Sequence, residues 1–559
     1  MRALRILSGF AHSISRNRSS PISSVVGVKC PLRFRALSTA SNEDPELKEM
    51  LDFIDNLKNY EKSGVPKGAG TDSGDGFDLG RMRRLMALLG NPHSTFKVFH
   101  IAGTKGKGST AAFLSSILRA EGYSVGCYTS PHIKTIRERI TLGRHGEPVC
   151  AKLLNGHFQM VRRVLERVVE LENGCLSHFE VFTAIAFSLF SQENIQIAVV
   201  EAGLGGARDA TNVISGSSLA ASIITTIGEE HLDALGGSLE SIAVAKSGIV
   251  KDGHPLVLGG PFLPHIEQIL RDKANLVSSP VVSVSDPRNK SFLKRLSQTC
   301  GITHQVCDIL LHIDRDLPLS VELFDVRLRM LGSHQLRNAV TAVCAALCLH
   351  NKGWRLSDAS IRAGLECAIF PGRSQILTSK EAERLGLPHH INVVLDGAHT
   401  KESARALAET VKMALPKKRL VLVVAMANDK DHLGFARELL LSVDGLEAVL
   451  LTEVSIAGDR SRTTSASYLK DVWVKASKEL DINVVLDREE DDAECNLSKE
   501  DHHQSRQILL AEGPLMASLR FGSLVLNERD KNTSTGVVLV TGSLHVVSAL
   551  LSMISDQQR

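Results

Sequence analysis

The stretch Gly103-Thr104-Lys105-Gly106-Lys107-Gly108-Ser109-Thr110 decides the fold of this chain. It follows an apolar run from Phe96 to Ala102 with the composition of a strand, and it precedes a helical pattern from Thr110 to Glu121 that Gly122 ends. A strand, a glycine-rich turn and a helix start form the context of a phosphate-binding loop, because free backbone N–H groups and a lysine meet the phosphates there. The stretch therefore predicts a nucleotide site in an α/β domain.

The loop departs from the general phosphate-loop pattern at one position. That pattern has Ser or Thr directly after its lysine, whereas here Gly108 separates Lys107 from Ser109. A plain glycine-rich turn explains the glycines but not two lysines and two hydroxyl residues in this context. We therefore predict that residues 103–110 bind the phosphates, with Lys107 as the central cation.

Composition limits the classes of protein to consider. With 559 residues the chain is long enough for two or more domains. The net charge of +3 implies no bulk attraction to nucleic acid, and no apolar run reaches the roughly 20 residues of a membrane helix. The ten cysteines are scattered without a CxxC pair, which is typical of a reducing compartment. We expect no nucleic-acid partner, no membrane span and a monomer.

The first 42 residues differ from the rest of the chain. They hold seven basic residues and many serines, and the first acidic residue is Glu43. This composition is typical of an organelle transit peptide, and a disordered basic arm is the alternative. The spread of the arginines favours the mitochondrial matrix over a plastid.

Helical and strand patterns alternate from Asp44 onward, which predicts an α/β fold with a mainly parallel sheet. A helical run covers Pro45 to Lys62. Two later strands, Ile195 to Val200 and Ala221 to Ile227, are followed by polar residues at the end where open α/β sheets bind ligands.

Those polar residues suggest a metal site. Glu201 follows one strand, His231 follows the other, and Ser130 follows a short strand-like run from Ser124 to Tyr128. A Mg²⁺ ion bound with ATP needs few protein oxygens, so one carboxylate beside a phosphate loop is a sensible ligand. Taken singly, the acid could be a helix cap and the histidine a structural residue.

The chain resembles the dihydrofolate synthase and folylpolyglutamate synthase branch of the Mur ligase superfamily, from about Phe77 to Thr410. The loop GTKGKGST is that branch's loop. The other motifs that carry the resemblance are Ser130-Pro131-His132 with Arg137-Glu138-Arg139-Ile140, Phe179-Glu180, Glu201-Ala202-Gly203-Leu204-Gly205-Gly206 with Asp209-Ala210-Thr211-Asn212, Ala245-Lys246-Ser247-Gly248-Ile249, Gly332-Ser333-His334-Gln335 with Asn338, Phe370-Pro371-Gly372-Arg373 and Leu395-Asp396-Gly397-Ala398-His399.

The resemblance implies a P-loop ATPase domain over residues 45–369 and a smaller Rossmann-like α/β domain over 374–559, with an acidic insertion at 487–505. It implies ATP contacts at residues 103–110, Asn338, Arg373 and Asp396. It implies two Mg²⁺ ions held by Ser130, Glu201, His231 and a carbamylated Lys246, with Lys107, Lys246 and His231 as the catalytic set. Pterin-substrate contacts are implied at Ser177, His178, Phe179 and Glu180 and at Arg208, Asp209 and Ala210.

The implied chemistry is ATP-dependent amide formation, in which a substrate carboxylate becomes an acyl phosphate and the amine of L-glutamate displaces phosphate. The Phe179-Glu180 pair is closer to enzymes that accept dihydropteroate, and the 221–260 block resembles plant dihydrofolate synthase. These features favour 7,8-dihydropteroate as the acceptor. A folylpolyglutamate synthase or a bifunctional enzyme that extends tetrahydrofolate is the alternative. One departure stands out, since the family usually has Asp where this chain has Glu230.

Overall fold

The computed structural model describes residues 44–71, 77–299, 301–416, 418–456, 462–486, 506–528 and 536–556. Its first sheet has eight strands in the order β4-β3-β2-β5-β1-β6-β7-β8. They are β1 (Lys97–Ala102), β2 (Val125–Tyr128), β3 (Ile140–Leu142), β4 (Glu147–Pro148), β5 (Ile197–Glu201), β6 (Leu219–Ile224), β7 (Leu256–Leu258) and β8 (Val281–Ser283). β1 runs parallel to both β5 and β6, so the carboxyl ends of all three strands lie side by side.

Helices cover both faces of this sheet, which is why β5 and β6 are buried at every residue and are mostly apolar rather than alternating. The helices are α1 (Lys48–Asp55), α2 (Tyr60–Ser63), α3 (Leu79–Leu88), α4 (Lys107–Ala120), α5 (Ala151–Leu171), α6 (His178–Gln192), α7 (Leu239–Ser247), α8 (Pro264–Leu276), α9 (Ser333–Leu347) and α10 (Asp358–Cys367). α4, α9 and α10 share one apolar core, and α1, α3, α5 and α6 share the core on the opposite face.

A separate three-stranded antiparallel sheet was not predicted from the sequence. It consists of β9 (Phe292–Thr299), β10 (Ile302–Ile313) and β11 (Leu319–Leu328) in the order β11-β10-β9. In β11 buried and exposed residues largely alternate, and the buried ones join the core that α4, α9 and α10 share.

The second domain contains a seven-stranded sheet in the order β12-β13-β18-β14-β15-β17-β16. Its strands are β12 (Gln375–Ile376), β13 (Asn392–Leu395), β14 (Leu420–Val424), β15 (Leu446–Leu451), β16 (Asn483–Leu486), β17 (Gln507–Glu512) and β18 (Val537–Thr541), and its helices are α11 (Ser379–Arg384), α12 (Lys401–Ala414), α13 (His432–Ser442), α14 (Ala466–Glu479), α15 (Leu515–Glu528) and α16 (Leu544–Asp556). All described pairings except that of β12 with β13 are parallel. The predicted α/β architecture with a mainly parallel sheet and a second α/β domain is confirmed.

Two predicted helix bounds were wrong. The helix after the loop begins at Lys107 rather than Thr110. The helical run predicted from Pro45 to Lys62 is broken, because the Asn59 side chain accepts the amides of Glu61 and Lys62 and starts a new helix there. The predicted transit peptide and the acidic insertion at 487–505 lie outside the described residues. Within the described ranges, no helix is both long and apolar enough to cross a membrane.

Candidate active site

A cleft of about 1030 Å³ opens where the carboxyl ends of β1, β5 and β6 face the second domain. Most of the residues predicted for the site line it, although they come from loops far apart in the chain. They are Thr104 to Ser109, Ser130, Ser177 to Glu180, Glu201, Arg208 to Ala210, His231, Asn338, Arg373 and Asp396. The other three predicted residues, Gly103, Thr110 and Lys246, lie just behind the cleft surface, where Thr110 and Lys246 are buried.

The glycines of the loop are required by close contacts. A Cβ on Gly103 would lie 1.9 Å from the Thr225 hydroxyl, and one on Gly106 would lie 2.5 Å from the Asn338 side-chain oxygen. Both glycines have positive φ angles, which other residues rarely adopt. Since α4 begins at Lys107, its unpaired N-terminal amides lie at the cleft, which suits an anion.

The extra glycine at position 108 has a structural reason. A Cβ there would lie 2.7 Å from the Phe370 ring and 3.4 Å from Glu201 Oε2. Phe370 belongs to the segment that joins the two domains, so only a glycine lets the start of α4 approach that junction. This contact accounts for the departure from the general phosphate-loop pattern.

Lys107 and Glu201 lie together at the centre of the cleft. Lys107 Nζ donates to the carbonyl oxygen of Gly103 at 3.1 Å and lies 3.9 Å from Glu201 Oε1. The Ser130 backbone N–H donates to Glu201 Oε2 at 3.2 Å. Burial raises the pKa of Glu201, and Lys107 opposes that rise. A buried carboxylate held in this way suits a cation that arrives with the nucleotide.

Lys246 lies under the loop with only 5% of its surface exposed. Its Nζ donates to the same Gly103 carbonyl oxygen at 2.9 Å. Burial, with help from Lys107, lowers the pKa of Lys246 to about 7. A large fraction of this amine is therefore uncharged and nucleophilic at neutral pH.

His231 and Glu230 follow β6 and face the loop. His231 is exposed at the cleft surface, but desolvation by the surrounding walls lowers its pKa to about 4, so its imidazole is neutral at pH 7. Glu230 accepts a hydrogen bond from Lys105 Nζ at 2.8 Å and lies 3.5 Å from His399 Nε2 in the second domain. Burial raises the pKa of Glu230, but His399 and Lys105 together hold it far below its usual range. Glu230 thus links the loop to the second domain as an anion.

The protein supplies only part of a metal site. Among the described residues there is no group of three or more His, Cys, Asp or Glu side chains placed to hold a metal ion. Of the predicted ligands, only Glu201 and His231 belong to those residue types. An ion here would need the Ser130 hydroxyl and oxygens from phosphate and water, and Mg²⁺ in nucleotide sites is bound in this way.

Glu180 is fixed by local contacts at the start of α6. Its Oε2 accepts the Ser177 N–H at 2.8 Å, while the Ser177 hydroxyl accepts the Glu180 N–H at 3.2 Å, which is a capping box. Its other oxygen lies 3.4 Å from Arg81 Nε. The ring of the neighbouring Phe179 packs against Gly203. Only a glycine allows this approach, because a Cβ on residue 203 would lie 2.6 Å from the Phe179 ring. Ser177 and Glu180 therefore have a structural role beside any substrate contact.

Arg208 and Asp209 also organise the wall of the cleft. Arg208 donates to the carbonyl oxygens of Phe77 at 2.6 Å and Thr71 at 2.7 Å. The Asp209 carboxylate accepts the backbone N–H groups of Leu204 at 2.8 Å and Thr211 at 3.0 Å. Burial raises the pKa of Asp209, although these hydrogen bonds oppose the rise. Asp209 therefore holds the glycine-rich turn after β5 through its hydrogen bonds.

The predicted nucleotide contacts from the domain junction converge on the loop. Asn338 faces Gly106 and donates to the Gln335 side chain at 3.1 Å. The Asp396 carboxylate accepts the N–H groups of Ser374 at 2.6 Å and Ala398 at 2.8 Å. The Arg373 guanidinium lies 5.5 Å from the centre of the Phe370 ring. These groups form the side of the cleft where the domains meet.

Sequence reasoning missed several charged residues of the cleft, and Lys430, Glu61 and Arg462 are three of them. Lys430 lies in the charged segment after β14, and it lines the cleft, as do Glu61 and Arg462. Local pattern offered no signal for Glu61 or Arg462, because both reach the cleft only through contacts between segments far apart in the chain.

A phosphate loop at the centre of a mainly parallel sheet, facing a second α/β domain, defines the class of two-domain α/β proteins with a nucleotide cleft. The Mur ligase middle domain matches residues 101–346, and the Mur ligase glutamate ligase domain matches residues 382–501.

Named relatives narrow this class. The chain is 34% identical over 366 residues to the dihydrofolate synthase/folylpolyglutamate synthase of Bacillus subtilis, covering 65% of this chain and 78% of that one. It is 31% identical over 421 residues to the mitochondrial folylpolyglutamate synthase of Homo sapiens, covering 68% and 63%. The crystal structure of folylpolyglutamate synthase from Thermotoga maritima superposes with a TM-score of 0.65 at 29% identity, covering 86% of this chain and 94% of that one. The chain belongs to the dihydrofolate synthase/folylpolyglutamate synthase family.

Proposed function

We propose that the protein is an ATP-dependent ligase that joins L-glutamate to 7,8-dihydropteroate and releases dihydrofolate, ADP and phosphate. The observation that carries the ligase assignment is the meeting of Lys107 and Glu201 at adjacent strand ends, with Lys246 beneath the loop. Arg373 at the domain junction and Asp396 of the second domain line the same cleft. The family of the chain supports the same reaction class.

The chain's own residues suit this chemistry. The amides of the loop and Lys107 would hold the phosphates of ATP, and the substrate carboxylate would attack the γ-phosphorus to give an acyl phosphate and ADP. The uncharged amine of glutamate then attacks the acyl carbon, phosphate leaves with the electrons of the broken C–O bond, and the nitrogen releases a proton as the amide forms. Preorganised positive groups lower the repulsion between two anions in the first step.

Mg²⁺ would be held by Glu201, Ser130 and His231, and it would neutralise charge on the phosphate oxygens when bound. The neutral imidazole of His231 and the buried carboxylate of Glu201 fit this role. The second domain would exclude water from the acyl phosphate, whose hydrolysis is the obvious side reaction.

Lys246 fits the second metal ligand in a modified form. Carbamylation requires an uncharged amine, and burial beside Lys107 lowers the pKa of Lys246 to about 7. The product is a carboxylate in place of a cation, so it would relieve the repulsion with Lys107 and could bind a second Mg²⁺.

The choice of dihydropteroate is supported by Glu180 on the wall of the cleft, where Ser177 and Arg81 hold its carboxylate. A folylpolyglutamate synthase or a bifunctional enzyme remains the second candidate, because the name of the Bacillus subtilis relative carries both activities.

The purified protein should be assayed with ATP, L-glutamate and either dihydropteroate or tetrahydrofolate. We expect ADP release and a new amide only with dihydropteroate, and Lys107→Met should abolish both. Turnover on tetrahydrofolate alone would overturn the assignment, while turnover on both would establish the bifunctional alternative.

We also propose that the protein acts as a monomer in the mitochondrial matrix. The basic, acid-free composition of residues 1–42 supports this location, and the human relative is named as mitochondrial. A fluorescent protein fused behind residues 1–42 should enter mitochondria, and its uptake by plastids instead would contradict the proposal. Light scattering of the purified chain measures the oligomeric state.

A further inference from the structure

Residues 58–71 form a segment, here called the strap, that runs along one end of the cleft. At one end the carbonyl oxygen of Lys58 accepts the His178 N–H at 2.9 Å, at the start of α6. At the other end the N–H groups of Gly68 and Gly70 donate to the carbonyl oxygens of Asp233 at 2.8 Å and Ala234 at 3.0 Å. Both ends of the strap are therefore fixed to the first domain.

The strap places Glu61 against Arg139. The guanidinium donates to both oxygens of the carboxylate, at 2.8 and 2.5 Å, and only 1% of the Arg139 side chain is exposed. Burial raises the pKa of Glu61, but Arg139 outweighs burial and lowers the pKa overall. Burial lowers the pKa of Arg139, but Glu61 outweighs burial and raises the pKa overall. Both groups are ionised, so the pair is a two-point contact with defined geometry.

Arg139 in turn orients the Ser130 loop. Its Nε donates to Nδ1 of His132 at 3.0 Å. Burial, with Arg139, lowers the pKa of His132 to about 3, so the ring is neutral and Nδ1 is free to accept. His132 lies two residues after Ser130, whose N–H contacts Glu201. The strap is thereby linked to the carboxylate at the centre of the cleft.

The second domain contacts the same strap residue from the other side. Arg462 Nη1 donates to the backbone carbonyl oxygen of Glu61, and Arg462 Nη2 lies 3.3 Å from Asp429 Oδ2. Glu61 thus accepts hydrogen bonds from both domains, through its side chain in one case and its backbone in the other.

We propose that Glu61 is a positioning residue that couples docking of the second domain to the placement of the Ser130 loop. When Arg462 holds the Glu61 carbonyl oxygen, the Glu61 carboxylate is held on Arg139, and Arg139 holds His132. When the second domain moves away, the strap loosens and the Ser130 loop loses its support. The cation site assigned under the proposed function is then complete only in the docked arrangement.

Hydrogen–deuterium exchange of the full-length protein tests this coupling without any turnover. In Arg462→Met, exchange should rise at least about twofold in the peptide that covers residues 129–139, which corresponds to the weakest coupling usual between contacting residues. The same variant should raise exchange in the peptide covering 58–64. Arg437→Met is the matched control, because Arg437 pairs with Glu479 elsewhere on the second domain, and it should leave both peptides unchanged.

A double variant tests whether the effect of Arg462 on residues 129–139 passes through the Glu61 side chain. In Glu61→Gln the backbone carbonyl that accepts Arg462 is retained but the charged contact with Arg139 is lost. Adding Arg462→Met should then raise exchange in 58–64 without any further rise in 129–139. Equal increases in 129–139 in both backgrounds would overturn the proposal.

The test gives an answer even if Glu61→Gln does not fold or the protein does not act on dihydropteroate. If Glu61→Gln fails to fold, the Arg462→Met measurement decides alone, and unchanged exchange in 129–139 refutes the coupling. A protein that is inactive on dihydropteroate refutes the proposed function but leaves the exchange result intact. An active protein without the exchange coupling refutes only this inference.

Discussion

The state of Lys246 provides the most direct prediction. Burial and the nearby Lys107 lower the pKa of its amine from 10.5 to about 7. At pH 7 about half of the amine is then neutral, whereas an unshifted lysine would be neutral in about 1 molecule in 3000. We therefore expect the amine to take up CO₂ at neutral pH, where exposed lysines react far less.

The assay is ¹³C NMR of the protein in ¹³C-labelled bicarbonate. Wild type should show a carbamate carbon signal that Lys246→Arg lacks, because a guanidinium is not carbamylated. The signal should weaken as the pH falls below about 7, since the folded amine gains a proton there. Ligation should fall over the same pH range and recover when bicarbonate is raised.

Activity of the variants decides whether the carbamate matters. Lys246→Ala should lose ligation by at least about 100-fold, the loss typical of removing one preorganised electrostatic group, and added bicarbonate should not restore it. Activity near the wild-type level in Lys246→Ala would refute the reasoning. So would a carbamate signal that survives in Lys246→Arg.

Two glycine substitutions test the packing around the loop helix. Gly106→Ala should weaken the binding of an ATP analogue about tenfold by calorimetry, because its Cβ would lie 2.5 Å from the Asn338 oxygen. The control Gly122→Ala is also at positive φ but has open space around it, and it should bind the analogue normally. Equal affinities of the two variants would contradict this prediction. Gly364→Ala should destabilise the fold by about 1–3 kcal/mol in thermal unfolding, because its Cβ would lie 2.3 Å from the backbone of α4. Gly156→Ala, in a helix with nothing within 4 Å, should stabilise by up to about 1 kcal/mol, and equal shifts would contradict the packing argument.

The parallel strands were predictable because their signal is local. The strand predicted from Ile195 to Val200 is observed as β5 (Ile197–Glu201), and the one predicted from Phe96 to Ala102 is observed as β1 (Lys97–Ala102). Strands that helices cover on both faces are short continuous apolar runs, and such runs can be read without knowing the partner.

The antiparallel sheet was not predictable in the same way. None of the residues of β9 (Phe292–Thr299) is fully buried, and β11 (Leu319–Leu328) buries largely alternate residues. A strand buried on one face or neither carries a weak apolar signal. Its existence depends on pairing with β10, which local sequence does not specify.

The sequence by itself determined the glycine-rich loop and the apolar strands that precede the loop and Glu201, because each gives a signal from neighbours along the chain. Only the tertiary structure decided that Lys246 lies under Gly103, that Phe370 requires a glycine at position 108, and that Arg139 and Arg462 both contact Glu61. These properties arise from burial and from contacts between distant segments. A residue's desolvation depends on every atom around it, and most of those atoms belong to segments far away in sequence.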